Sequence, residues 1–280
     1  MVKHDVFGVK IDDISASELE QTLLGWMNDG HVHTIVTPNP EFILEARRDP
    51  EFRDILNRAD LALPDGVGLK FAVSALTGKR LLHRHTGVDT LLLLSEICTR
   101  TQTTLHLIGG NSGVVEIASN QLRSKNPTLS IQCFDPGLIE KNASAEILTK
   151  VADRLLLSIQ GNSVLAIGLG QKKQERLMSV IAQNLSQLPT ANEQPPTCIL
   201  IGVGGSFDMI AGTRRRAPAW LRRIGLEWVW RLMIEPRRWR RIANAVVIFP
   251  ALVISDTLKH RRFLRACRKT IPEIVRQFTE

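Results

Sequence analysis

The sequence contains little from which a zinc site or a disulfide framework could be built. Among its 280 residues are four cysteines that lie far apart and form no CxxC pair: Cys98, Cys133, Cys198 and Cys267. Structural zinc sites and small disulfide scaffolds both need closely spaced cysteines, so the sequence argues against either and fits a reducing cytosol.

Two HxH pairs are also present: His31 with His33, and His83 with His85. On a strand this spacing puts both rings on one face, as in some metal sites. No acidic or cysteine partner is apparent for either pair. A structural or surface role is therefore favoured over metal binding.

The sequence shows no leader and no long apolar run. Met1 is not followed by a basic stretch and an apolar stretch, so no signal peptide is expected. The longest apolar run extends from Ala243 to Ile254 and is broken by Asn244 and Pro250. Its length of about 12 residues is below the roughly 20 that cross a bilayer. This run is expected to lie in a membrane interface or to form a core helix.

The common nucleotide-binding motifs are missing as well. There is no GxxxxGK[ST] pattern, and Gly168-Leu169-Gly170 is followed by Lys173 where a complete GxGxxG would have glycine. These absences argue against a P-loop NTPase and a standard NAD-binding domain. The apolar fraction of 44% and the charged fraction of 23% are ordinary for a soluble globular protein.

Short apolar strands alternate with amphipathic helices along most of the chain, which predicts a Rossmann-like α/β fold with a mainly parallel sheet and helices on both faces. The predicted strands cover 33–37, 61–63, 104–108, 129–133, 164–167 and 198–203. The predicted helices cover 41–48, 50–58, 67–76, 88–101, 114–124, 143–160 and 174–188. We place an α/β catalytic domain at residues 1–212 and a basic, tryptophan-rich helical appendage at 213–280.

Ligands of such sheets bind beyond the carboxyl ends of the strands, and this rule selects the candidate site residues. Thr37 and Asn39 end one strand and suit a sugar or a base. Asp65 follows another and could accept a proton from an attacking hydroxyl. Three strand ends carry glycine pairs, which let a backbone approach phosphate closely. Each feature also has a purely structural explanation as turn or cap chemistry.

Charge is distributed unevenly along the chain. Residues 211–280 hold 17 Lys and Arg against 5 Asp and Glu, whereas residues 1–210 hold 19 against 23. The basic part also contains Trp220, Trp228, Trp230 and Trp239. Interleaved arginine, tryptophan and apolar residues suit a helix lying in a lipid headgroup layer, and guanidinium groups also suit a diphosphate. Nucleic acid and an anionic membrane surface are the two candidate partners.

Five segments, taken together and in order, resemble the WecG/TagA/CpsF glycosyltransferases of bacteria, glycosyltransferase family 26. The segments are Thr37–Glu41, Ala59–Gly66, Gly168–Gly170 with Lys173–Glu175, Gly202–Asp208 with Gly212, and a C-terminal group comprising Arg216–Pro218, Gly225–Trp228, Arg231–Leu232 and Glu235–Arg238. Order and spacing hold from about Phe7 to Arg241.

The resemblance implies an inverting enzyme that moves a sugar, of the N-acetylmannosamine type of HexNAc, from a UDP-sugar to a polyprenyl-diphosphate-linked saccharide in cell-surface polysaccharide biosynthesis. It implies no cofactor and no metal, and the cleft segments contain no DxD pair. It implies a peripheral protein on the cytoplasmic face of the bacterial plasma membrane, with no nucleic-acid partner. Self-association into a homo-oligomer stays open.

The resemblance also assigns roles to residues. Asp65 would be the catalytic base. Donor-binding residues would be Thr37, Asn39, Gly66, Gly109, Gly110, Gly170, Lys173, Gln174, Gly204 and Asp208. Residues for the acceptor and its diphosphate would be Arg84, Arg216, Arg231 and Arg238.

Two departures from the family pattern are visible. Lys172 stands where the family usually has proline, which changes the turn and adds a charge that could contact a donor phosphate. The chain also continues past the usual family end, through a second basic stretch at Lys259–Lys269, which could strengthen membrane attachment. The competing hypotheses are a nucleic-acid-binding protein that uses the basic tail and a nucleotide-binding regulator without catalysis.

Overall fold

The computed structural model describes residues 1–111, 113–187, 196–215, 217–218, 220–221 and 224–279. Its centre is a six-stranded sheet in the order β4-β3-β8-β7-β5-β6, in which every neighbouring pair is parallel. The predicted α/β architecture is confirmed. All six strands therefore end at the same edge of the sheet, and the loops that follow them meet there.

The strands are β1 Val2–Val6, β2 Val9–Asp13, β3 Val32–Val36, β4 Leu61–Ala62, β5 Thr104–Gly109, β6 Ile131–Phe134, β7 Ser163–Gly168 and β8 Cys198–Gly202. The helices of the body are α1 Ala16–Trp26, α2 Pro40–Arg48, α3 Pro50–Arg58, α4 Val67–Thr77, α5 Gly87–Thr101, α6 Val114–Lys125, α7 Ala145–Leu156, α8 Lys173–Ser186 and α9 Ser206–Ile210. The C-terminal helices are α10 Glu227–Ile234, α11 Pro236–Lys259 and α12 Phe263–Thr279.

The sheet is buried on both faces, as parallel sheets require. On one side Val36, Leu200 and Leu165 pack against α2, α3, α7 and α8. On the other side Ile201 and Ala166 pack against α1, α5 and α6. The alternation of side chains along each strand supplies both cores at once, so the strands read as continuous apolar runs and are easily found in the sequence.

The antiparallel hairpin β1–β2 and helix α1 were not among the predicted elements. The sequence nevertheless contains a capping box, Ser15 and Glu18, at the start of α1. The Ser15 hydroxyl accepts the Glu18 N–H at 3.2 Å, and the Glu18 carboxylate accepts the Ser15 N–H at 2.9 Å. These two bonds satisfy donors that a helix start would otherwise leave without partners.

The helix that contains the C-terminal apolar run extends well beyond the run at both ends. Residues Pro236–Lys259 form a continuous helix of 24 residues, α11, which is long and apolar enough to cross a membrane by length and composition alone. The prediction of a run too short to do so is wrong. Pro250 does not break the helix, because a π-helical turn at Asn244–Ile248 precedes it and adjusts the backbone where proline removes a hydrogen bond.

Helix α11 has one side packed against the body. Phe249, Val253 and Thr257 are buried, and α11 contacts α2 and α4. The Phe249 ring lies about 4.0 Å from the position that a Cβ would take on Gly68 in α4. The outward side, which includes Val247, Ile254 and Leu258, is exposed.

We expect Phe249→Ala to lower the free energy of unfolding by about 3 kcal/mol, because it removes a ring that is only 1% exposed. Ile254→Ala, on the outward side of the same helix, is the matched control, since Ile254 is 46% exposed. Urea unfolding of both variants measures the difference. Equal effects would contradict the docking of α11 on the body.

Candidate active site

A cavity of about 420 Å³ lies at the carboxyl edge of the sheet. The loops after β3 to β8 form one side of it, and residues of the basic C-terminal part form the other. From the body the wall includes Thr37, Asn39, Asp65, Gly110, Gly170, Lys173, Gln174, Gly204 and Asp208. From the C-terminal part it includes Arg214, Arg215, Trp230, Arg231, Glu235, Arg238 and Arg241.

Thr37 and Asn39 follow β3 and are held by local hydrogen bonds. The Thr37 hydroxyl donates to the Gly202 carbonyl at 3.0 Å and so joins the ends of β3 and β8. The Asn39 Oδ1 caps α2 by accepting the Glu41 N–H at 2.9 Å and the Phe42 N–H at 3.3 Å. Because capping uses only the oxygen, the Asn39 amide nitrogen is the group that can donate to a ligand.

Asp65 lies on the turn after β4. Its backbone N–H donates to the Pro38 carbonyl at 2.8 Å, which ties this turn to the loop after β3. Burial raises the pKa of the Asp65 carboxyl above its ordinary value, and the positive charges of Arg231 and Arg84 act against that rise. A half-buried carboxylate with a raised pKa is a stronger proton acceptor than a solvated one, which suits a general base.

Gln174 and Glu175 form a buried pair at the start of α8. The Gln174 Oε1 accepts the Gly204 N–H at 3.0 Å, and its Nε2 donates to the Glu175 carboxylate at 2.7 Å. The other Glu175 oxygen accepts the Lys172 N–H at 2.6 Å. Gln174 is only 2% exposed, so its amide chiefly fixes the glycine loop after β8.

The buried Gln174–Glu175 pair leaves room only for glycine at position 202, the end of β8. A Cβ on Gly202 would lie 2.7 Å from the Gln174 Nε2, closer than real Cβ contacts allow. Burial raises the pKa of Glu175 to about 7, and hydrogen bonds from Gln174 and from backbone N–H groups partly offset this rise. The loop after β8 is therefore held, through Gln174, by a carboxyl group whose pKa is near neutral pH.

Lys172 adopts a backbone φ of +73°, which proline cannot reach, since its ring fixes φ near −65°. Its ammonium lies 2.7 Å from Asp49 and 3.5 Å from Glu45. Lys172 is thus paired with carboxylates of the body, in place of the expected contact with a donor phosphate. The neighbouring Lys173 lies on the cavity wall, where its ammonium donates to the Ile139 carbonyl at 3.0 Å.

The arginines of the C-terminal part are paired with carboxylates around the cavity. Arg214 contacts Asp208 at 3.3 Å and Glu235 at 3.0 Å, and Arg238 also pairs with Glu235. Arg231 contacts Glu227 at 2.7 Å. These pairs hold several cations around one cavity without strong mutual repulsion.

One further pair joins the C-terminal part to the body. Arg241 on α11 binds both carboxylate oxygens of Glu41 on α2, the nearer at 2.9 Å. The two-pronged geometry fixes both the distance and the orientation of the contact. Helix α11 is thereby tied to the helix that Asn39 caps.

The structure brings most of the predicted site residues to one cavity. Gly66, Gly109 and Arg84 are not on its wall, although Arg84 is close enough to act on Asp65. Arg216 lies outside the described residues. The assigned roles stay predictions. Glu227 and Glu235 were not among the predicted site residues, although both lie in segments that resemble the family and are rare acidic residues within a strongly basic part of the chain.

One histidine of each HxH pair contacts an aspartate, so the expectation that the pairs have no acidic partner is wrong. The His33 ring stacks on Trp26 with ring centroids 4.1 Å apart and contacts Asp29 at 2.8 Å. The His83 ring contacts Asp13 at 2.8 Å. Across the described residues, no group of three or more His, Cys, Asp and Glu side chains is arranged to hold a metal ion.

The chain is similar in sequence to a known protein family. The model of the glycosyl transferase WecG/TagA/CpsF family matches residues 4–263. Proteins named N-acetylglucosaminyldiphosphoundecaprenol N-acetyl-beta-D-mannosaminyltransferase are similar to the chain. One from Bacillus subtilis (strain 168) is 30% identical over 210 residues, which cover 75% of this chain and 75% of the relative.

Two further relatives carry the same name. One from Bacillus spizizenii (strain W23) is 30% identical over 246 residues, covering 88% of this chain and 85% of the relative. One from Staphylococcus aureus (strain NCTC 8325) is 26% identical over 244 residues, covering 86% and 87%. The match to the family model includes every candidate site residue.

The raised pKa of Glu175 predicts a pH dependence of stability. Between its ordinary pKa of 4.5 and about 7, the unfolded chain has lost the proton that the folded protein still holds. Stability therefore falls as pH rises through this range, by about 3 kcal/mol from this group. We expect Glu175→Gln to lose that part of the pH dependence.

Urea unfolding at pH 5 and pH 7.5 measures the difference. Glu146→Gln, which changes an exposed glutamate on α7, is the control and should keep the dependence of the unmodified protein. A Glu175→Gln variant with the same pH dependence as the unmodified protein would contradict the assignment.

Proposed function

The chain belongs to the WecG/TagA/CpsF family of glycosyltransferases, and from this membership we propose its reaction and its substrates. The enzyme moves an N-acetylhexosamine of the N-acetylmannosamine type from a UDP-sugar to a polyprenyl-diphosphate-linked N-acetylglucosamine. The names of the relatives supply this acceptor and this sugar. The product would be a lipid-linked disaccharide for a cell-surface polysaccharide.

The observation that carries the proposal is the position of Asp65, which is half-buried and lines the same cavity as the C-terminal arginines. Asp65 accepts the proton of the acceptor hydroxyl while that oxygen forms a bond to the anomeric carbon. The bond from the anomeric carbon to the UDP oxygen breaks at the same time. Attack from the face opposite the leaving group inverts the anomeric centre.

The leaving UDP takes the electron pair of the broken bond and carries its charge on the diphosphate. Lys173 and Arg214 provide positive charge on the wall of the cavity. Fixed cations that face developing negative charge stabilise a transition state without rearranging. Arg238, on the same wall, would face the diphosphate of the lipid acceptor.

The exposed surface of the C-terminal part supports attachment to a membrane. Val247, Ile254 and Leu258 recur along the outward side of α11 at intervals of seven and four residues, and all are exposed. Arginines lie near the beginning of this helix, and Lys259 lies at its end. An apolar stripe with basic residues at both ends suits the headgroup layer of an anionic bilayer. With its other side held by the body, α11 would lie in the interface of the cytoplasmic leaflet.

We expect Asp65→Asn to lower kcat by about 10²–10⁴-fold, because the amide cannot take the proton. Affinity for UDP should change little. The assay measures UDP release from a UDP-N-acetylhexosamine with a short-chain polyprenyl-diphosphate-N-acetylglucosamine acceptor, in the presence of EDTA. Asp54→Asn, on the exposed surface of α3, is the control for loss of a carboxylate. Full turnover by Asp65→Asn would remove Asp65 as the base.

Membrane attachment is tested by flotation of the full chain with vesicles that contain phosphatidylglycerol. We expect the unmodified protein to float and the triple variant Val247→Ser, Ile254→Ser, Leu258→Ser to stay in the soluble fraction. The control, Ile117→Ser with Leu157→Ser, changes exposed apolar residues of the body. Flotation of the triple variant would contradict the role of α11. Salt-dependent DNA binding without flotation would favour the nucleic-acid hypothesis.

A further inference from the structure

The segment 79–86, which joins α4 to α5, lies against the turn that carries Asp65. The His85 N–H donates to the Pro64 carbonyl at 3.1 Å, so the two segments share a backbone hydrogen bond. The same segment carries Arg84, whose positive charge acts on the Asp65 carboxyl. The backbone path of this segment therefore sets the distance between the Arg84 guanidinium and the Asp65 carboxyl.

The second half of the segment is held by the body. Buried Asp13 accepts the N–H groups of Leu82 and His83, each at 2.9 Å. The His85 Nε2 contacts the Ile14 carbonyl at 2.8 Å. Within the described part of the chain, the Arg84 side chain makes no ion pair, so its position follows from the backbone on either side of it.

The first half of the segment is held by helix α12. Arg80 Nε lies 2.6 Å from the Glu273 carboxylate, which is only 6% exposed and also pairs with Arg276 at 2.6 Å. A carboxylate this deeply buried is strongly destabilised without its cations, so Glu273 fixes the position of Arg80. Glu273 lies ten residues beyond the end of the match to the family model, at residue 263. The contact is thus made by a part of this chain that the family model does not cover.

Helix α12 is also packed along α4, the helix that begins directly after Asp65-Gly66. The Lys70 ammonium donates to the side-chain oxygen Oε1 of Gln277 at 3.4 Å, and the Arg262 guanidinium donates to the backbone carbonyl of Leu76 at 3.4 Å. Both ends of α4 are therefore in contact with the C-terminal part of the chain. Segment 79–86 leaves α4 at the end nearer to Arg262.

We propose that Glu273 is a positioning residue for the transfer reaction. By holding Arg80, it keeps segment 79–86, which carries Arg84, against the Asp65 turn. The inference rests on the proposed role of Asp65. The charged groups that act on Asp65 are Arg231 and Glu227 from α10, Arg84 from this segment and Asp89 from α5.

The test is the pH profile of kcat/KM for Glu273→Gln, which keeps the size of the side chain but removes its charge. A weaker influence of Arg84 would raise the pKa of Asp65, so the acid limb of the profile should move to higher pH by about 0.5–1 unit. The KM for the donor should change by less than about twofold, because the donor side of the cavity is untouched.

Arg80→Gln should produce the same shift, because it removes the same Arg80–Glu273 contact. For that reason the acid limb in the double variant should move no further than in either single variant. Glu273→Asp, which keeps the charge, should restore part of the profile. Glu20→Gln is the matched control, because it breaks an Arg–Glu pair of 2.7 Å on the body and should leave the profile unchanged. An unmoved acid limb in Glu273→Gln, or additive shifts, would overturn the proposal.

Amide hydrogen exchange separates failure of this inference from failure of the proposed function. Faster exchange at residues 79–86 in Glu273→Gln than in Glu20→Gln supports the positioning contact, and unchanged exchange overturns it, whether or not transfer is observed. If the unmodified protein releases no UDP with the acceptor, the proposed function fails, and the exchange result alone then decides the positioning contact.

Discussion

Pairing between arginine and carboxylate across the cavity is the interaction on which the architecture of the site depends. The C-terminal part carries a dense group of arginines, which would repel one another at the cavity without carboxylates between them. Asp208 and Glu41 from the body, with Glu227 and Glu235 from the C-terminal part itself, neutralise them. These pairs let one chain place a basic surface over the carboxyl edge of its sheet.

The sheet supplies the other half of the site, and its parallel strands explain why the loops after all six of them meet in one place. With every strand parallel, Thr37, Asp65 and Gly204 come to the same edge although they are far apart in the chain. Buried Glu175 then fixes the loop after β8 through Gln174. The wall that the body contributes is thus built mainly from backbone and short polar groups, whereas the wall that the C-terminal part contributes is rich in long cationic side chains.

Much of this could be predicted from the sequence, because the central strands are apolar on both faces and their ends carry the polar residues. Hairpin β1–β2 was missed since His4 and Asp12 interrupt its apolar pattern, although both are buried. The length of α11 was underestimated because Asn244 and Pro250 were treated as breaks, and a π-helical turn accommodates them. The pairing of Lys172 with Asp49 could not be predicted, since it depends on a left-handed backbone at Lys172 and on contact with a distant loop.

The ion pairs around the cavity also determine what binding a diphosphate would involve. Arg214 and Arg238 already share Glu235, so an incoming phosphate oxygen would take over contacts that a carboxylate now makes. Binding would then be an exchange of anionic partners, and its net free energy would be the small difference between two similar contacts. When the diphosphate leaves, Glu235 would pair with the two arginines again, so the same carboxylate would favour release.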